Sequence, residues 1–166
     1  MKNDVEVVAE LIRNAPIGQY IGELGAKVLS ERAAKMIDLA DNEVLCEKGV
    51  ANDFFYIVAK GRLAMVSESA DRSNSAILHI YEKGDLIGEL TFIDDLPHAN
   101  TVRSLGNAYV VSFNKTDLAP LITEQPELMY NFMRAVIRRV HSTLTAINRH
   151  QSELLTYIQT GGRGRM

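Results

Sequence analysis

The sequence predicts an α+β fold, a β-sandwich or barrel flanked by helices on both sides. Three observations predict it. Between residues 42 and 113, short apolar runs alternate with glycine-bearing turns, a density that marks a compact β-structure. Apolar residues at helical spacing precede and follow that zone. No segment has the strand–helix alternation of a parallel α/β sheet.

The first segment, residues 1–41, reads as helical. Val5, Val8, Leu11 and Ile12 share one helix face, and Asn14-Ala15-Pro16-Ile17-Gly18 interrupts it. A second helix follows, with Leu24, Val28, Leu29 and Met36 as its apolar positions. The second segment, 42–113, offers strands at Glu43–Glu47, Phe54–Ala59, Leu63–Val66, Ala76–Tyr81, Thr101–Leu105 and Ala108–Phe113. Turns are expected at Lys60-Gly61, Lys83-Gly84-Asp85 and Gly106-Asn107. The third segment, 114–158, is helical again. Asn114 suits an N-cap, with Asp117 three residues on, and Pro126 suits the first turn of a long helix.

That last helix spans about 48 Å if it runs from Pro126 to Tyr157 at 1.5 Å per residue. Met133, Val140, Ile147 and Leu154 recur every seven residues, with Met129, Val136, Thr143, His150 and Tyr157 as a companion row. Ile137, Leu144 and Ile158 widen the stripe. A helix this long outruns a small domain, so a second copy of the chain is the expected cover for its distal apolar residues. Met133, Val136, Val140, Leu144 and Ile147 are the predicted dimer contacts. Thr160–Met166 reads as a flexible glycine-rich tail, the last part of segment 159–166.

Composition narrows the function. The chain has 166 residues, 46% apolar and 23% charged, with a formal net charge of −3. That balance argues against a general nucleic-acid binder, which carries a basic excess. The single cysteine, Cys46, excludes a disulfide within the chain and suits a reducing, cytoplasmic setting. No apolar run is long enough for a membrane span. The acidic residues near the N-terminus do not make a signal peptide.

Catalytic patterns are missing from the sequence. His79, His98, His141 and His150 are scattered, without a metal-ligand spacing. Asp94-Asp95 reads as a solvated turn, and Cys46 as a small buried side chain rather than a nucleophile. Neither a nucleophile elbow nor a phosphate-binding Gly-Lys-Ser/Thr loop is present. A non-enzymatic protein without metal or cofactor is expected.

One segment concentrates chemical potential: Gly84-Asp85-Leu86-Ile87-Gly88-Glu89-Leu90-Thr91-Phe92, continuing through Pro97-His98-Ala99-Asn100-Thr101-Val102-Arg103. It reads as strand, glycine turn, short helical turn, loop and strand. Gly88 permits close backbone approach, and Glu89 can accept from a sugar hydroxyl or simply favour a helix start.

This segment, residues 84–104, resembles the phosphate-binding cassette of the cyclic nucleotide-binding domain family, whose pattern is Gly-Glu-Leu-Ala/Gly-Leu followed by Pro-Arg-Ala/Ser/Thr-Ala-Thr-Val. Glu47-Lys48-Gly49, Asp53-Phe54-Phe55-Tyr56-Ile57-Val58 and Gly61 are similar to the family's opening strands. The resemblance implies a jelly-roll barrel, a double-stranded β-helix, with flanking helices. It implies that Glu89 holds a ribose 2′-hydroxyl, that amides near Gly88, Leu90 and Ala99 approach the ribose-phosphate, and that the long helix forms a homodimer.

The departures are at His98 and Asn100. His98 replaces the arginine that pairs with the cyclic phosphate, exchanging a permanent charge for a group with a pKa of about 6.5. Asn100 adds polar bulk. Ala99 lacks the threonine hydroxyl that favours guanine in some relatives, so cyclic AMP is favoured over cyclic GMP. Arg103, five residues beyond His98, is expected on the strand surface. No helix-turn-helix follows the long helix, so DNA binding by this chain alone is not expected. Two readings remain: a sensor that couples a nucleotide-like anion to helix movement, and a degenerate fold kept as a protein-interaction scaffold.

Overall fold

The computed structural model describes residues 2–32, 35–68 and 75–159. The elements in chain order are α1 (Lys2–Asn14), α2 (Gly18–Arg32), β1 (Met36–Leu39), β2 (Val44–Cys46), β3 (Phe54–Glu68), β4 (Ser75–Tyr81) and β5 (Leu86–Ile87). There follow α3 (Glu89–Asp94), β6 (Thr101–Asn114), α4 (Lys115–Leu118), α5 (Leu121–Glu124) and α6 (Pro126–Gln159).

Helix α1 buries Val8, Leu11 and Ile12 on one face and ends before the Pro16 corner. Helix α2 stops at Arg32, so the helical reading of residues 1–41 is corrected at its end. Met36–Leu39 is a strand whose register on β6 runs from Met36↔Val111 to Leu39↔Ala108. The sheet therefore begins six residues before position 42. The short segment Met-Ile-Asp-Leu is captured by the edge of a long neighbour, and tertiary pairing overrides local periodicity.

The two longest strands organise the sheet. β3 and β6 pair antiparallel from Phe54↔Asn114 to Val66↔Thr101. The expected turns at Lys60-Gly61 and Gly106-Asn107 are not turns. The chain continues through both, and the register shifts between Val58 and Arg62, as bulges do when they bend a strand pair. Gly61 has φ +81°, and a Cβ there would lie 2.6 Å from the Asn107 carbonyl oxygen. Gly61→Ala is expected to lower stability by at least about 2 kcal/mol, combining left-handed strain with a backbone clash. Denaturant unfolding checks this, and an unchanged midpoint would show that the bend needs no glycine.

Sheet order is β1-β6-β3-β4, with β2 on β6 and β5 on β3. The fold is of the expected jelly-roll kind, but among the described residues the sheet is bent rather than closed into a barrel. Both faces of its centre are buried, which is why Phe54–Ala59 reads as a continuous apolar run. Alternation sends Phe55 and Ile57 towards the helices and Tyr56 and Val58 into the roll. On the helix side Phe55 stacks on Phe113, meets Phe92 of α3 edge-on, and touches Phe132 of α6, with ring centroids 4.7, 5.0 and 5.3 Å away.

Asn114 caps α4, its side chain accepting from the Thr116 N–H at 2.7 Å. Helix α6 starts at Pro126 and runs for 34 residues, about 51 Å. Its core-facing residues are Leu128, Phe132, Ala135 and Val136. No helix among the described residues is long and apolar enough to cross a membrane.

Candidate functional site

The cassette sits where the roll meets α6. Leu86 and Ile87 pair with Ile57 and Tyr56, which fixes the strand that delivers Gly88. Gly88 caps α3 with φ +79°. A side chain there would press on the Phe54 carbonyl oxygen at 3.2 Å and on His98 Cε1 at 3.4 Å, so glycine is required twice over. Phe92 anchors α3 to the core, leaving Leu90 half exposed on the outside.

His98 is fixed by its backbone. Its N–H donates to the Val50 carbonyl at 3.1 Å, and its carbonyl accepts from the Gly49 N–H at 2.8 Å. The Glu47-Lys48-Gly49 turn therefore clamps the cassette loop. The His98 ring lies over Gly88, with Nδ1 3.2 Å from Thr91 Oγ1. Nε2 is buried without a hydrogen-bond partner. Burial lowers the His98 pKa below its ordinary value, so the ring is neutral at pH 7.

Glu89 is 14% exposed and lies 4.0 Å from Arg139 of α6, measured to its Nε. Arg139 Nη1 donates to Asp85 Oδ1 at 3.0 Å. Burial is the largest influence on Glu89 and raises its carboxyl pKa. A backbone hydrogen bond and Arg139 pull it down, while Asp85 pushes it up. Tyr81 and Cys46 lie within reach of this charge. Burial first, then Glu89, raises both, and the Cys46 thiol is pushed up to about 12, which makes it an unreactive core side chain.

A cavity of about 840 Å³ opens beside these groups, lined by Asp85, Asn100 and Arg139 together with Tyr20, Leu78 and His79. A second hollow, about 610 Å³, lies between α1 and α2, away from the cassette. Ala99 is exposed at the loop. Of the predicted ligand residues, Asn100 lines the larger cavity and Gly88, Glu89, Leu90, His98 and Ala99 do not; Glu89 adjoins it through Arg139.

The remaining candidates divide. Asp94 and Asp95 are turn acids: Asp94 Oδ1 accepts from the Leu96 N–H, and Asp95 pairs with Lys115. Among the described residues, no three His, Cys, Asp or Glu side chains are grouped to hold a metal ion. Arg103 lies on β6 opposite Val44 and Ala64. Of the dimer positions, Val136 is buried in the domain's own core, Met133 packs against that core, and Val140 is half-buried. Leu144 and Ile147 are helical in backbone, and their side chains lie outside the described ones. The tail from Thr160 also lies outside the described residues.

Sequence reasoning missed Arg139 and the Asp85 carboxylate. A signal existed for the first. Arg139 falls seven residues after Phe132 and three after Val136, on the helix face that is otherwise buried, where an arginine needs a partner.

A bent β-roll that carries a glycine–glutamate turn against one long helix is the architecture of a regulatory cyclic nucleotide-binding module. Residues 36–125, more than half of the chain, match the family model described as the cyclic nucleotide-binding domain, and the chain belongs to that family. The N-terminal domain of a transcriptional regulator from Streptomyces coelicolor A3(2) is similar in structure, with TM-score 0.69 and 26% identity, covering 82% of this chain and 94% of that one. The regulatory domain of Toxoplasma gondii PKA, solved with cAMP, shares the fold at TM-score 0.71 and 16% identity over 85% of this chain and 51% of that one.

In sequence, the chain is 29% identical over 108 residues to the cAMP-dependent protein kinase regulatory subunit of Dictyostelium discoideum, covering 64% of this chain and 33% of that protein. It is 33% identical over 102 residues to a lysophospholipase of Cryptococcus neoformans, covering 61% of this chain and 6% of that enzyme. The chain thus spans a third or less of these two curated relatives.

Proposed function

We propose that this domain is a non-enzymatic sensor that binds a cyclic mononucleotide, cyclic AMP in preference to cyclic GMP, between the cassette and α6. The observation that carries the reading is Glu89. Its largely buried carboxylate stands at the end of the cassette turn, close to Arg139 of the long helix, which lines a cavity of about 840 Å³. A ribose hydroxyl donating to Glu89 would compensate a carboxylate that burial leaves poorly solvated. Backbone amides around Gly88, Leu90 and Ala99 would meet the ribose-phosphate, with His98 as the nearest titratable group to the anion and Asn100 on the cavity wall.

Binding would shift α6, because Arg139 ties that helix to the cassette. The partner proposed for α6 is a second copy. Tyr130 and Ile137, seven residues apart, are 64% and 63% exposed, and Ile158 is 71% exposed. Met133 and Val140 adjoin that exposed stripe, and Leu144 and Ile147 continue it in sequence, whereas Val136 serves the domain's own core.

The scaffold reading also has an observation in its favour. The His98 ring is turned inward onto Thr91 and held neutral, so the ligand-free cassette presents no cation from this position. Titration calorimetry with cyclic AMP and cyclic GMP at pH 6 and pH 8 separates the two readings. A bound phosphate raises the His98 pKa, while burial depresses it in the free protein. The complex therefore takes up a proton, and affinity rises as pH falls through the bound-state pKa towards the free one. Saturable binding, tighter at pH 6, is the expected result. Absence of heat at both pH values from folded protein would support the scaffold instead.

A further inference from the structure

Arg139 stands between two carboxylates and engages only one. Its Nη1 donates to Asp85 Oδ1 at 3.0 Å, while its Nε stops 4.0 Å from Glu89 Oε1, beyond hydrogen-bond distance. An arginine so placed would ordinarily favour a bidentate grip on the more buried acid. Asp85, which takes the hydrogen bond from Arg139, is itself fixed. Its Oδ2 accepts from the Glu82 N–H at 2.8 Å, its own N–H donates to the Glu82 carbonyl at 2.9 Å, and its carbonyl accepts from the Val58 N–H at 3.0 Å. The turn before β5 therefore presents a rigid carboxylate to α6.

We propose that Asp85 parks Arg139 away from Glu89, keeping the Glu89 carboxylate open to a hydroxyl of the ligand, so that Asp85 is a positioning residue for binding. The inference rests on the cyclic-nucleotide reading above and adds a role for Asp85 and for Arg139 of α6. Without Asp85, Arg139 closes on Glu89, and a ligand must break that pair before its hydroxyl can reach the carboxylate.

The sign of the effect sets this apart from simple charge repulsion. Asp85 is a negative charge near the mouth of an anion site, so Coulomb's law alone has its removal strengthen binding. Parking requires the opposite. Asp85→Asn, which keeps the acceptor for the Glu82 N–H, is expected to weaken cyclic-AMP binding roughly tenfold or more, the loss that follows when a charge-assisted pair must be broken. Adding Arg139→Gln to Asp85→Asn should restore most of that loss, since the competitor for Glu89 is gone. Affinity unchanged or increased in Asp85→Asn overturns the proposal, and so does a double variant no better than the single one.

A ligand-independent measurement keeps this inference separable from the functional reading. In arginine-labelled protein, NMR should find exchange of the Arg139 Nε–H with water slowed several-fold in Asp85→Asn, because Nε now donates to Glu89. If the wild-type protein binds neither nucleotide, the sensor reading falls and this exchange rate alone decides the parking. A rate unchanged by Asp85→Asn overturns it.

Discussion

His98→Arg is expected to tighten cyclic-AMP binding by about ten- to a hundredfold, the equivalent of one charge-assisted hydrogen bond of about 1.5–3 kcal/mol. In the free protein, His98 is neutral, rests over Gly88 and engages Thr91. To meet a phosphate as a cation it must acquire a proton and give up its Thr91 contact. Arginine carries its charge at every accessible pH and grips two oxygens at once. The variant should therefore also lose the pH dependence between pH 6 and pH 8, while giving up about 1 kcal/mol of stability with the Thr91 bond. Titration of both proteins at the two pH values reads both effects. If His98→Arg remains without measurable binding, the missing cation is not what limits the cavity, and Asn100 becomes the next substitution to reverse.

Phe55→Ala should be the most damaging single truncation, costing about 3–5 kcal/mol. The ring is fully buried and sits between Phe113, Phe92 and Phe132, so the helix side of the core has few atoms free to collapse into the space. Set against a total stability of about 5–15 kcal/mol for a domain, the variant would be marginal at room temperature. Phe92 comes from the cassette helix and Phe132 from α6, so Phe55 is also the apolar link between them. Phe55→Leu, which refills most of the volume, should recover the greater part of the loss. Denaturant unfolding of the two variants measures this, and a Phe55→Ala penalty under about 1 kcal/mol would show that the three aromatic contacts do not act through Phe55.

Much of this fold is legible in local sequence because local physics governs it. The Pro16 corner, the Asn114 cap and the Pro126 start all fall where side-chain chemistry and proline geometry put them. The cassette is legible for a similar reason: Gly88 and Glu89 act within one turn, and only glycine fits over the Phe54 carbonyl and the His98 ring. What eluded local reading depends on distant partners. Met36–Leu39 is a strand only because β6 passes beside it. Gly61 and Gly106 look like hairpin turns and are bulges, because two long strands bend together there.

The same division holds for the site. The amino-acid sequence by itself determined the class of domain and put Gly88, Glu89 and His98 within one short segment, since each is written in contiguous residues. Only the tertiary structure decided which way the His98 ring turns, that Val136 serves the domain's own core, and that Arg139, 54 residues from Asp85, lies between Asp85 and Glu89. Periodicity shows which face of a helix is apolar. Which carboxylate an arginine on that face will meet depends on how the helix docks, and docking is settled by the packing of Phe55, Phe92 and Phe132 across three separate elements.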